Sequence, residues 1–386
     1  MLRILFVTSS LEHGGAERHT VTLLNRLGER GHDVHLAYIK ARGAQLERLR
    51  LPPTGSVRCL HAHRHLDTAA VAALARAIET LAPTVIVAAN EYALLYATLA
   101  RWRARSKSSL VVTWHALRAF GAKEWLKLAI CRPLFWAAHC AVFVCEAQRR
   151  RWRPRALFAR CNEVIFNGVD IDAFADRTTL TERAGLRRKL KFADTDYVIA
   201  MTAGLRPEKN HVQLVDAVAL LRARGIPACA LMIGDGEMRG AIEARARALG
   251  ILRHVSITGF EPDVRPFVAA ADVAVLCSFT EALSLAALEA MALGKPVVHS
   301  AVGGAAEIIG PGSTGFLFPV GDTQALVDRL AVLADGPLRR AMGQRARAAV
   351  VKSFSEGAMV DAYERLLFKL ATPPSSVPLD LRVPAE

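Results

Sequence analysis

The sequence is poor in the features that would tie it to an oxidising compartment or to a bilayer. Its seven cysteines are an odd number, scattered without a C-x-x-C pair, so neither a disulfide framework nor a structural zinc site is expected. No window reaches the roughly 18 uninterrupted apolar residues of a membrane-spanning helix. The best stretch, Pro133 to Cys145, is short and bounded by Arg132 and Glu146. The opening LRILFVTSS reads as a buried strand without a basic leader and a long apolar segment, so secretion is not expected and a cytoplasmic chain is. Also missing are G-x-G-x-x-G, helix-turn-helix spacing, a zinc-finger ligand set, an aromatic RNA-binding signature and any solenoid-length repeat.

What is present fits a globular chain of two domains: 386 residues, 52% hydrophobic and 22% charged. The net charge of +14 is uneven. Residues 1–180 carry 26 Lys plus Arg against 14 Asp plus Glu, and residues 181–386 carry 24 against 22. The sharpest basic clusters are RWRARSK from Arg101 and QRRRWRPR from Gln148, with Trp102 and Trp152 among the cations. Two readings stand: a solvated Arg-rich face, or a docking surface for an anionic membrane or lipid-linked acceptor. Nucleic acid is not expected as a partner. Oligomeric state leaves no signal.

Short apolar or β-branched runs alternate with longer Ala, Leu and Arg segments of helical period, the pattern of an α/β chain whose helices cover both faces of parallel sheets. The early strands are expected at Arg3–Thr8, Asp33–Ile39, Thr84–Ala88, Leu110–Thr113 and Ala141–Cys145. A second series starts at Tyr197–Thr202 and continues at Cys229–Ile233, Val255–Thr258, Val273–Leu276 and Pro296–Ser300. Between the series, Asn167 to Asp196 reads as a linker followed by a short helix. The expected division is a first domain over 1–175, a second over 190–355, a terminal helix over 356–370 of unassigned packing, and an irregular Pro-rich tail over 373–386.

In open parallel sheets ligands gather at the carboxyl ends of strands, so the loops there carry the candidate sites. After the first strand, Gly14 and Gly15 suit either a tight turn or close backbone approach to a phosphate. His115 follows the fourth strand and could donate to a bound oxygen, although a lone His is more often structural. His61, His63 and His65 alternate without a carboxylate or Cys partner and read as an exposed edge instead of a metal site. Arg206 and Lys209 lie three residues apart near a helix start, a spacing that lets both converge on a diphosphate. Gly234 opens the next loop.

The strongest local pattern is SFTEALSLAALEAMALGKPVV from Ser278. Glu281 stands in the strand-to-helix loop and Glu289 eight residues later in the helix. Paired so, carboxylates can accept hydrogen bonds from vicinal hydroxyls while the helix amino terminus near Ser284 favours phosphate charge. On spacing alone this weighs equally against a turn carboxylate and an exposed helical one. Gly303 and Gly304 offer a further anion nest near Glu307.

Taken in order, GGAER from Gly14, His115, VCE from Val144, VIFNGVD from Val164, LRPEKN from Leu205, IGDG from Ile233 and the Glu281/Glu289 pair resemble the family 4 retaining glycosyltransferases over about residues 1–370. The resemblance implies the GT-B fold, two Rossmann-like domains with parallel sheets facing across a cleft. It implies a nucleotide-diphosphate sugar, UDP- or GDP-linked, as donor, no required cofactor or metal, and a glycan or lipid-linked acceptor. By it, Lys209 contacts the diphosphate, Glu281 the sugar hydroxyls and Glu289 the ribose, with His115 near the sugar. The Gly14–Gly15 loop borders donor and acceptor, the backbone at Phe260 approaches the base, and Ala282, Leu283, Ser284 and Leu285 form the loop that receives the donor.

The chain departs from the family at two places. Gly204 replaces the usual phosphate-contacting Arg, with Arg206 as the cation nearest in sequence, and Ala282 and Ser284 replace residues that are commonly Gly and Pro or Gly. The expected activity is transfer of the sugar, with retained anomeric configuration, to a hydroxyl of a lipid-linked or polysaccharide acceptor in bacterial-type polysaccharide or lipopolysaccharide synthesis. The enzyme would be cytoplasmic or peripheral on the inner face of the cell membrane. The alternatives are a related GT-B sugar phosphorylase or sucrose-type synthase, and a noncatalytic nucleotide-sugar-binding protein.

Overall fold

The computed structural model describes residues 1–12, 14–115, 126, 129, 132–152 and 159–371. Two parallel sheets organise it. The first contains β1 (Arg3–Thr8), β2 (Asp33–Tyr38), β3 (Ser56–Cys59), β4 (Val85–Ala89), β5 (Ser109–Trp114), β6 (Cys140–Phe143) and β7 (Cys161–Val164), in the spatial order β3-β2-β1-β4-β5-β6-β7. The second contains β8 (Tyr197–Thr202), β9 (Ala228–Ile233), β10 (Val255–Ile257), β11 (Val273–Leu276), β12 (Val297–Ser300) and β13 (Gly315–Phe318), ordered β10-β9-β8-β11-β12-β13. Both are doubly wound, with the order reversing beside the first strand of each.

Burial on both faces explains the continuous apolar runs of the central strands. In β1, Leu5 and Val7 pack beneath the helices Thr68–Leu81 and Asn90–Arg103. Ile4 and Phe6 point the other way, toward the helix Gly15–Glu29 and the final helix Glu356–Ala371. The second sheet repeats the device. Ile199 and Met201 of β8 pack with His211–Ala223, and Val198 and Ala200 with Leu285–Ala292 and Gly336–Ser353.

Local signals set the helix ends. Asp67 accepts from Ala69 N and Ala70 N to start Thr68–Leu81, and Thr179 with Glu182 forms a capping box on Leu180–Lys189. This short helix packs on the second unit, where Arg187 reaches Asp272 at 2.7 Å. The final helix belongs to the first core, burying Met359, Val360, Tyr363, Leu366 and Leu367 there. The chain therefore crosses between the units twice, and the two passages pair: Val169 N donates to Phe354 O at 3.0 Å and Glu356 N to Val169 O at 2.8 Å. Arg26 ties both passages to the first helix through Asp170 and Glu356. The tail expected over 373–386 and residues 153–155 of the second basic cluster lie outside the described residues.

Candidate active site

The two points at which strand order reverses face a common cavity of about 1170 Å³. The first unit brings Gly15 at the start of the helix after β1, Asn90 after β4 and His115 after β5. The second brings Arg206 and Lys209 after β8, Gly234 after β9 and Phe260 after β10. It also supplies Glu281, Ala282, Leu283, Ser284 and Leu285 after β11, and Glu289 inside the following helix. All the site residues expected from sequence thus border one space between the units.

The Glu281 loop is held from both ends. Ser284 caps the helix Leu285–Ala292 by accepting from Ala287 N at 3.2 Å. From the side, the loop after β12 presses against it: a Cβ on Gly303, whose φ is +53°, would fall 1.9 Å from Glu281 O. Only glycine fits there. The adjoining Gly304 N donates to Ala282 O at 2.7 Å.

These contacts correct the expectation of an anion nest at Gly303–Gly304. The Gly304 amide braces the Glu281 loop, and Glu307 accepts from Glu146 N at 2.8 Å and Ala147 N at 2.7 Å. Those amides open a helix of the first unit and have no intrahelical partner, so a carboxylate from the second unit satisfies them. A second glycine is equally constrained, since a Cβ on Gly234 at φ +148° would lie 2.1 Å from Ala203 O.

Charges on the second unit converge on the cavity. Lys209 Nζ and Glu281 Oε2 form a close, partly buried ion pair. Arg206 is more exposed, 3.3 Å from Glu208, and its Nε lies 3.5 Å from where a side chain on Gly204 would begin. Glu289 is only 3% exposed, which removes the reading of it as an exposed helical residue. Burial pushes its carboxyl above the usual range, against the pull of Arg18. That Arg18 comes from the first unit, 2.5 Å away across the cleft.

On the opposite wall, the His115 backbone N–H donates to Asn90 Oδ1 at 3.0 Å. Asn90 itself sits in the left-handed region at φ 65°. His115 Nε2 is buried with no hydrogen-bond partner among the described residues. Burial, reinforced by the neighbouring His19, holds its pKa well below the ordinary value, so the ring is neutral at pH 7. Asn167 joins the walls, donating from Nδ2 to Leu283 O at 3.1 Å.

Arg18, Asn90 and Asn167 were not among the residues picked from the sequence. Arg18 and Asn167 lie within GGAER and NGVD, where side-chain roles were masked by the glycines and the linker reading; Asn90 carries no local signal. The exposed His61, His63 and His65 occupy the loop after β3.

Two family profiles divide the chain between them. Residues 13–173 match Glycosyltransferase Family 4 and residues 182–349 match Glycosyl transferases group 1. HepE of Anabaena, solved in complex with UDP-glucose, superposes with a TM-score of 0.83 over 96% of this chain and 100% of its own, at 23% identity. The chain has the GT-B glycosyltransferase fold. Among curated proteins, this GT-B chain is 34% identical over 177 residues to the lipopolysaccharide core biosynthesis glycosyltransferase LpsE of Rhizobium meliloti, covering 45% of this chain and 50% of LpsE. It is 30% identical over 207 residues to the N-acetyl-alpha-D-glucosaminyl L-malate synthase of Bacillus anthracis, covering 53% of each. The chain spans about half the length of the curated relatives it matches.

Proposed function

We propose that the protein is a retaining glycosyltransferase that moves a sugar from a nucleotide-diphosphate sugar to a hydroxyl of a lipid-linked or polysaccharide acceptor. The observation that carries this reading is the meeting of Lys209, Glu281 and Glu289 from one unit with His115 from the other around a single cavity. Sugar hydroxyls donate to Glu281, ribose hydroxyls donate to Glu289, and Lys209 lies beside the diphosphate, where it offsets negative charge that grows as the glycosidic bond breaks. Arg206, folded over the space at Gly204, supplies the second cation. The free amides at the start of Leu285–Ala292 add a third source of positive potential.

Retention follows in this reading from same-face attack. The acceptor hydroxyl enters from the first unit, a donor phosphate oxygen takes its proton, and the nucleotide diphosphate leaves from the side on which the new bond forms. The relatives support a nucleotide sugar and a glycan-building role, HepE through its UDP-glucose complex and LpsE through its place in lipopolysaccharide core synthesis. The reading includes no metal. A screen of UDP- and GDP-sugars against lipid-linked and oligosaccharide acceptors, with anomeric analysis of the product by NMR, tests it. Transfer with an α-linked donor giving an α-linked product, undiminished by EDTA, is the expected result. Inversion, dependence on a divalent ion, or tight nucleotide binding with no product in the whole screen would each count against it.

A further inference from the structure

Behind the cleft runs a chain of buried groups that donor binding does not use. His19 lies one turn into the helix that follows Gly15 and is 4% exposed. Its ring stands edge-on to His115, with centroids 4.9 Å apart and planes at 63°. On the far side, His19 Nε2 is 3.1 Å from the hydroxyl of Tyr363, whose ring packs 5.4 Å away. Tyr363 is fully buried on the final helix, the segment that returns from the second unit.

The protonation pattern of this chain can be read from its surroundings. Burial lowers the pKa of His19 to about 4, with the Asn167 side chain opposing the shift, so the ring is neutral at pH 7. A neutral imidazole has one donor and one acceptor nitrogen. Nε2 and the Tyr363 hydroxyl share a hydrogen bond whose direction is set by which ring nitrogen carries the proton. Asn167 in turn holds the donor loop at Leu283 O.

We propose that Tyr363 and His19 are positioning residues for His115: the hydroxyl fixes the His19 ring, and the edge of that ring fixes the His115 imidazole with Nε2 left for a ligand oxygen. A residue acting this way matters through geometry, since small misplacement of a polar group at a reacting centre is costly. Simple core packing makes a different forecast, because Tyr363→Phe keeps the ring and its volume and removes one oxygen.

The experiment follows the histidine ring nitrogens of the uniformly 15N-labelled protein by NMR, with the His115 signals assigned by their loss in His115→Gln. In Tyr363→Phe the His115 ring signals should shift, affinity for UDP or GDP by calorimetry should stay as it was, and turnover should fall by about 10- to 100-fold. His19→Gln, which disrupts the ring contact directly, should give the same signature and provides the readout if the first variant folds poorly. Unchanged His115 ring signals together with unchanged turnover in a folded Tyr363→Phe would overturn the proposal. So would His19 ring shifts of a protonated imidazole in the native protein at pH 7. The activity arm rests on the transferase reading, whereas the ring signals do not. A protein with no turnover on any donor would sink that reading and still leave the positioning role decided.

Discussion

In the proposed site Glu289 accepts ribose hydroxyls as a carboxylate, and it is placed where ionisation is costly. Burial raises its pKa, and the attraction of Arg18 from the other unit pulls it back. Loss of that guanidinium therefore moves the Glu289 pKa further upward. In the native protein the donor KM should rise as pH falls through the raised Glu289 pKa, where the carboxylate becomes protonated. In Arg18→Gln the same rise should begin at higher pH. Donor KM measured from pH 5 to 8 checks this, and superimposable profiles would remove Glu289 from the binding role. Glu281 is ion-paired with Lys209. Glu281→Gln keeps the shape and loses the ionic acceptor, so turnover should fall by about 100-fold or more while nucleotide affinity is retained. Calorimetry with the free nucleotide, set beside single-turnover rates, separates the two effects.

The loop that presents Glu281 depends on an element that never touches the cavity floor. Gly303 holds φ +53° and leaves no room for a Cβ beside Glu281 O, so Gly303→Ala should destabilise the protein by at least about 1–2 kcal/mol and raise donor KM. Gly185, inside the helix Leu180–Lys189 with open space around it, is the control: Gly185→Ala should stabilise by about 0.5–1 kcal/mol. Thermal melts of both distinguish backbone strain from generic glycine replacement.

The same contrast between central and peripheral elements explains how far the sequence could be read. The ten strands expected from it all formed, because most of them are buried on both faces and leave long apolar runs. Three were missed: β3, β7 and β13, each four residues long and at a sheet edge. β3 is largely exposed and β7 half-buried, so neither has the hydrophobic period that marks a strand. At the cavity, Lys209, Glu281 and Glu289, charged residues in or just after strand-to-helix loops, could be picked out, whereas Asn90 and Arg18 could not. Their roles arise from groups 25 residues away on the next strand, or on the opposite unit, and no local pattern records such meetings.

Across the whole molecule, charge is segregated by unit, and the basic half also exposes aromatic surface. Trp102 is 56% and Trp136 51% exposed, and Trp102 lies among the exposed Arg103, Arg105 and Lys107. An indole beside cations suits the headgroup region of an anionic bilayer. Flotation with phosphatidylglycerol vesicles should carry the protein upward at low salt and release it as salt rises, and Trp102→Glu should weaken the effect. Absence from the lipid fraction at every ionic strength would favour a solvated face.

The double passage between the units has a practical consequence for dissecting them. The segment that completes the hydrophobic underside of the first sheet is encoded after the entire second sheet. A fragment halted at the return crossing would remove Met359, Val360, Tyr363, Leu366 and Leu367 from that core. To obtain the amino-terminal half alone, one would have to splice residues 356–371 onto it through a new loop, because the gene order and the folding unit do not coincide.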